Sequence, residues 1–202
     1  MSVEDHFRQA YKEGSAPWDI GKPDFNLIQT VTTLPIHPCK ALEIGCGTGD
    51  NAIWLAQQGF DVIGVDASEV PTEKAFEKAA KADLPCAFFV LDFLKTHVEG
   101  PPFAFAFDRG CFHVFDSDEE RTKFAEQVHW HLQDGGSWLS LIGNADEVRD
   151  SPGPPQRTAR QIANAVEPFF EILSLVSSHF EVNLPYQPRA WVCLMRKRGV
   201  RD

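Results

Sequence analysis

The sequence predicts an α/β fold, a mostly parallel sheet with helices on both faces, and three observations carry that expectation. From residue 40 onward, short apolar runs of strand length alternate with stretches of helical pattern, the order that βαβ units produce. A glycine-rich turn, Gly45-Cys46-Gly47-Thr48-Gly49, joins the first of those runs to the first helix. Four acids, Glu43, Asp66, Asp92 and Asp108, stand near the ends of successive strand-like runs, where open parallel sheets bind ligands.

Residues 40–44 are the first predicted strand, and a helix follows over about 51–58, stopped by Gly59 as its C-terminal cap. The second strand covers 61–65 and the next helix 68–82, with strands three and four at 86–91 and 103–107. Ser117, with Glu120 three residues later, has capping-box spacing and starts a helix that runs to about 132. Gly135-Gly136 turns the chain into a fifth strand, 137–142. Residues 143–157, holding Pro152, Gly153, Pro154 and Pro155, read as a loop, and Thr158 with Gln161 repeats the capping-box spacing of a short helix. Strands at 170–181 and 189–196 follow. Ahead of the sheet, residues 1–39 form an N-terminal arm with helical patches, expected to act as a lid on a domain spanning 40–202.

At this length a single domain hides about 70% of its unfolded surface and needs no covalent or metal staple. Acidic side chains outnumber basic ones 29 to 19, a net charge of −10, which argues against nucleic acid as a substrate because phosphate binding needs clustered basic surface. The dense basic run, Arg196, Lys197, Arg198 and Arg201, reads as a solvated strand end. Five dispersed cysteines without a CxxC pair suit a reducing compartment rather than a disulfide framework. The opening MSVEDHFRQ lacks the apolar segment of a signal peptide, and no apolar run approaches the ~20 residues that span a bilayer. The expectations are a cytoplasmic location, a small-molecule substrate, and neither membrane nor nucleic acid as partner. Monomer and homodimer stay equally open.

The glycine turn carries the most chemistry. Alternate glycines let the backbone turn sharply and approach a ligand, and the helix start offers free N–H groups. Dinucleotide binders use GxGxxG, with a third glycine that lets a pyrophosphate sit on the helix. Here that third position is Asp50, whose charge opposes a pyrophosphate. GxGxG preceded by an acid suits a cofactor without phosphate, such as S-adenosylmethionine. Asp66 can accept hydrogen bonds from ribose hydroxyls, Asp92 from an adenine amine, and Phe93 can cover the adenine ring.

The glycine turn with Asp66 and Asp92 resembles the class I S-adenosylmethionine-dependent methyltransferases over roughly residues 40–142. Three further pieces are similar to the thiopurine, thiol and halide methyltransferases and the related tellurite-resistance methyltransferases. They are Pro17-Trp18-Asp19-Ile20-Gly21, Phe107-Asp108-Arg109-Gly110-Cys111 and Gly153-Pro154-Pro155, and they extend the resemblance over nearly the whole chain. It implies a Rossmann-like, seven-stranded, mostly parallel sheet whose last strand is antiparallel. It also implies that Trp18 packs over the cofactor, that Gly45, Gly47 and Gly49 lie along its methionine and ribose portions, and that Arg109 lines its pocket. Glu43, Cys46, Ala67 and Asp108 complete the expected cofactor-binding set. The chain departs from the resemblance in its first helix, where members often carry Trp and this sequence has Phe7 and Tyr11. It varies again in Cys111-Phe112-His113-Val114-Phe115, which follows Arg109-Gly110.

Methyl transfer from a sulfonium is an in-line displacement whose main demand is alignment. A thiol acceptor, with an ordinary pKa of about 8.5, needs only to lose its proton, whereas an alcohol demands a stronger base and an amine must enter unprotonated. His113 is the candidate catalytic base, with a packing histidine as the other reading. Trp18, Phe112, His113, Phe115 and Arg157 are the candidate substrate pocket, and Arg157 reads equally as a solvated loop cation. Cys111 either touches the cofactor or is a small buried thiol. Trp130 and Trp138 read as core. His129 and His131, two apart on a helix, do not make a metal pair, and no metal is expected. Asp108 is followed by Arg-Gly-Cys rather than by the Pro-Pro-aromatic motif of DNA-adenine or glutamine methyltransferases. The function expected is methyl transfer to a small molecule bearing a thiol or similar soft nucleophile, giving S-adenosylhomocysteine. Oxygen or nitrogen methylation and a non-catalytic cofactor-binding regulator are the alternatives, and a nicotinamide-binding reductase is disfavoured by Asp50.

Overall fold

The structure, a computed structural model, describes residues 3–34, 36–100, 102–150 and 153–199; Pro152 and Arg201, named above, lie outside them. The arm holds α1 (Val3–Glu13) and α2 (Phe25–Thr33). Then come β1 (Lys40–Ile44), α3 (Asp50–Gln57), β2 (Asp61–Asp66), α4 (Glu69–Lys81), β3 (Cys86–Val90) and β4 (Phe103–Arg109). A 3₁₀ turn at Phe112–Val114 leads into α5 (Asp118–His131), β5 (Leu132–Gly143), α6 (Ala159–Val166), β6 (Phe170–His179) and β7 (Arg189–Lys197).

The seven strands form one sheet in the order β3-β2-β1-β4-β5-β7-β6. β1 to β5 run parallel, and β7 is antiparallel to both β5 and β6. Strand order reverses between β1 and β4, whose ends are level, with Ile44 opposite Asp108. That reversal splays the flanking connections and opens a crevice at the C-terminal ends of the strands.

Side-chain alternation divides the core into two layers. Ala41, Phe105, Phe107, Leu139 and Leu141 face α2 and α3, where Leu27, Val31, Ala52 and Leu55 meet them. Leu42, Ile44, Ala106, Trp138 and Ile142 face α5 and α6, where Phe124, Val128, Ile162 and Val166 fill the layer. Trp138 is fully buried, and a buried aromatic of this size contributes about 1.5–3 kcal/mol or more. Glu43 points to the α2–α3 layer by the same alternation, which puts a carboxylate inside it. Among the described residues no helix is long and apolar enough to cross a membrane.

Differences from the sequence reading have local causes. β5 begins at Leu132, not 137, because Leu132 already pairs with Phe103 of β4 across a bulge. Gly135, at φ +71°, absorbs the irregularity within the strand instead of turning the chain into it. The box at Thr158 and Gln161 is complete, but at α5 the Ser117 hydroxyl both accepts from Glu120 N–H and donates to the Glu120 carboxylate. Trp130 is not core: it is 58% exposed and stacks on His97 with ring centroids 4.0 Å apart. Helix α5 turns this position outward.

Candidate active site

The glycine turn is folded as a hinge between β1, β2 and the start of α3. Gly45 N–H and Cys46 N–H both donate to Val65 O, at 2.8 and 3.0 Å. Gly47 N–H donates to Asp66 Oδ2 at 2.9 Å, and Ser68 N–H to Asp66 Oδ1 at 2.8 Å. Burial raises the Asp66 pKa, and these two N–H donors oppose the rise. Gly49 takes φ +80°, and a Cβ there would stand 2.7 Å from the Ala75 methyl, so only glycine lets α4 pack this closely on the turn. Asp50, in the first turn of α3, pairs with Lys78 Nζ at 2.8 Å; Lys78 also donates to Thr48 Oγ1. The charge read above as opposing a pyrophosphate is thus partly neutralised from α4, a pairing too distant in sequence to foresee.

Glu43 lies beneath the turn. Its Oε1 accepts from Asn51 Nδ2 at 3.0 Å, while its Oε2 is buried without a partner. Burial pushes its pKa up to about 8, so the side chain is neutral at physiological pH. Asn51 also accepts Asp24 N–H at 2.8 Å, which ties Glu43 to the arm.

The end of β4 is packed shut, and several expectations are corrected there. Asp108 is fully buried: Oδ1 accepts from Cys111 and Phe112 N–H, and Oδ2 from Trp138 Nε1 at 2.9 Å. It holds the loop after β4 instead of facing a cofactor, and burial raises its pKa to about 6. His113 is buried, and its Nδ1 accepts from Gly143 N–H at 2.8 Å. Its basic nitrogen is therefore occupied. Burial, with Arg157, Arg109 and Arg149 nearby, lowers its pKa to about 3, so it is a neutral structural side chain and not a base. Phe112 is wholly inside the α5 layer, and Phe93 packs there against Phe124 and His131, at 5.3 and 5.1 Å, rather than over an adenine. Arg157 is neither solvated nor free for an anion: its guanidinium donates to Phe115 O, Gln156 O and Asp116 Oδ1.

Arg109 fastens the arm. It donates to Asp24 Oδ2 at 2.6 Å, to Trp18 O at 3.1 Å and to Glu181 O at 2.5 Å, and lies 5.5 Å over the Phe180 ring. Asp24 is fully buried, caps α2 and was missed in the sequence; its place directly before a predicted helical patch was the available signal. Asn183 adds bonds to Pro17 O and Asp19 O, and Thr48 Oγ1 donates to Asp19 Oδ1 at 2.8 Å. The arm thereby crosses the glycine turn.

Of the remaining candidates, Trp18 sits in the arm beside Phe7 and Tyr11, Ala67 is exposed after β2, and Cys46 is buried in the turn. Asp92 is half-buried and bonded to Leu94 N–H and to Lys95 at 2.6 Å. Cys111 lies against Gly45, where a Cβ would meet its Sγ at 3.2 Å; burial, then Asp108, Asp66 and Asp92, raises its pKa. Phe115 packs partly buried on the α5 layer. The structure thus brings together the glycine turn, Glu43, Asp66, Trp18 and Cys111, and withdraws Phe93, Asp108, Phe112, His113 and Arg157 into packing roles. A cavity of about 610 Å³ among His129, Glu167, Phe169 and Lys197 lies at the opposite edge of the sheet, where β5 begins, away from this cluster. Among the described residues no group of three or more His, Cys, Asp or Glu could hold a metal ion.

A glycine turn at the switch point of a parallel sheet, with a neighbouring strand's carboxylate closed on it, defines a cofactor-binding α/β domain. Residues 41–136 match the family described as a methyltransferase domain. Probable thiol methyltransferase 2 of Arabidopsis thaliana is 29% identical over 182 residues, 87% of this chain and 78% of that protein. An uncharacterized methyltransferase of Schizosaccharomyces pombe is 35% identical over 110 residues, 54% of this chain and 76% of that one. A solved structure described as concerning conversion of a disulfide bond into a thioacetal group during echinomycin biosynthesis has the same fold, with TM-score 0.84 and 23% identity over 98% of this chain and 93% of that one. The chain belongs to the methyltransferase family.

Proposed function

We propose that the protein transfers the methyl group of S-adenosylmethionine to a small molecule whose acceptor is a thiol or a similarly soft nucleophile. One observation carries the acceptor class: the acid–base groups at the strand ends are already engaged. His113 has given its lone pair to Gly143, Asp108 has spent both oxygens inside the loop after β4, and burial keeps Glu43 protonated. Such a site favours a nucleophile that ionises by itself near neutral pH, as a thiol does at about 8.5, over an alcohol that needs a strong base. Similarity to a protein named as a thiol methyltransferase supports the same reading.

The residues fit the cofactor. The buried, unpartnered Oε2 of Glu43 and the side-chain-free surface at Gly45 and Gly47 make a polar cradle that any Cβ would obstruct. When bound, S-adenosylmethionine supplies a methyl group already activated on a sulfonium. Around it, Asp66 accepts from the ribose, the glycine turn admits the methionine portion, and the arm, held by Arg109, excludes water. The test is to incubate the protein with S-adenosylmethionine and a panel of thiols, selenols, halides, phenols and amines, and to quantify S-adenosylhomocysteine. Release confined to the soft nucleophiles is expected; release with phenols or amines alone would refute the acceptor class.

A further inference from the structure

The hydroxyl of Tyr11, carried by α1, rests on the backbone of Gly47: a Cβ at that residue would stand 2.6 Å from Tyr11 Oη. Gly47 gives its N–H to Asp66 Oδ2 at 2.9 Å. Phenol and carboxylate therefore flank one residue of the turn. Trp18 Nε1–H donates to Tyr11 Oη at 3.0 Å, with the two rings edge to face at 6.0 Å. That bond fixes the phenol and uses one of its lone pairs, which leaves the phenolic proton to be donated. Burial first, then the Asp66 charge, raises the Tyr11 pKa, so the group stays a neutral donor through the neutral range.

The chemistry of the pair selects its ligand. A carboxylate only accepts and this phenol is set to donate, so together they match a vicinal diol, whose hydroxyls do both. An anionic group is disfavoured, because the phenol feels Asp19 as well as Asp66. We propose that Tyr11 is a cofactor-contacting residue whose hydroxyl donates to a ribose oxygen of the adenosyl group while Asp66 accepts from the ribose hydroxyls. The proposal rests on the cofactor reading above and makes the arm a part of the binding site, not only its cover.

The test is calorimetric titration of the full chain and Tyr11→Phe with S-adenosylhomocysteine and with its 2′-deoxy and 3′-deoxy analogues. Tyr11→Phe is expected to weaken S-adenosylhomocysteine by about 3- to 10-fold, the worth of one neutral hydrogen bond, and one of the deoxy analogues by less than about twofold. No loss with S-adenosylhomocysteine, or equal loss with all three ligands, overturns the proposal. Trp18→Phe, which removes the N–H that orients the phenol, serves if Tyr11→Phe does not fold, and must show the same ligand dependence. A wild-type protein that binds none of the three ligands would instead overturn the cofactor reading itself.

Discussion

The ends of β2 and β4 each carry an aspartate, and the sheet treats the two differently. Asp66 lies at a partly open strand end, holding one N–H of the glycine turn and one of the next helix. Asp108 stands at the end of a more central strand, where the 3₁₀ turn folds back over it and Trp138 from β5 closes the remaining side. Similar sequence context thus gives one acid with lone pairs to spare toward a ligand and one whose bonding is complete. What separates them is the path of the following loop: after β2 the chain enters α4 directly, and after β4 it first coils inward.

The contrast makes paired predictions. Asp108→Ala leaves the Trp138 indole and two backbone N–H groups unpaired in the core, a loss of about 2–4 kcal/mol of stability. Thermal unfolding should show it, at roughly 2–4 °C per kcal/mol for a chain of this size. Asp66→Ala should instead weaken cofactor binding by about 1–3 kcal/mol in calorimetry while costing less stability. An Asp108 variant that stays stable and loses only cofactor affinity would reverse the two assignments.

Glu43 sharpens the comparison through pH. Its folded pKa, about 8, stands above the unfolded value, so the folded state keeps a proton that the unfolded chain releases. Its contribution is complete below the unfolded pKa of about 4.5 and is lost as pH rises through about 8. Glu43→Gln does not titrate, so denaturant unfolding should show it gaining on wild type from pH 5 to 8. Parallel stability curves would mean that Glu43 is ionised in the folded protein. The smallest expected effect concerns the arm: as a lid, residues 10–22 should be cut more slowly by protease once S-adenosylmethionine is added. Unchanged cutting would make the arm a fixed wall.

Much of the fold was legible because its signals are local. The strand at 40–44, the stop at Gly59, the caps at Ser117 and Thr158 and the glycine turn all depend on near neighbours. The site was legible only as far as the turn and Asp66, which a contiguous βαβ unit places together. The role of Arg109 depends on Asp24, and that of His113 on Gly143. Phe93 and Phe112 are aromatic residues beside a predicted pocket whose side chains alternate into the core instead. Partners this far apart leave no periodicity or spacing to read. Tyr11 stood out in the sequence only as a departure in the first helix, and its contact with Gly47 needed the folded arm.

The central claim is that the site leaves ionisation to the acceptor. It is tested most directly by measuring kcat/KM against pH for two thiol acceptors of clearly different pKa. The account predicts that the midpoint of the rising limb moves with the acceptor's own pKa. A midpoint that stays at one value for both thiols would report a base supplied by the protein and contradict it.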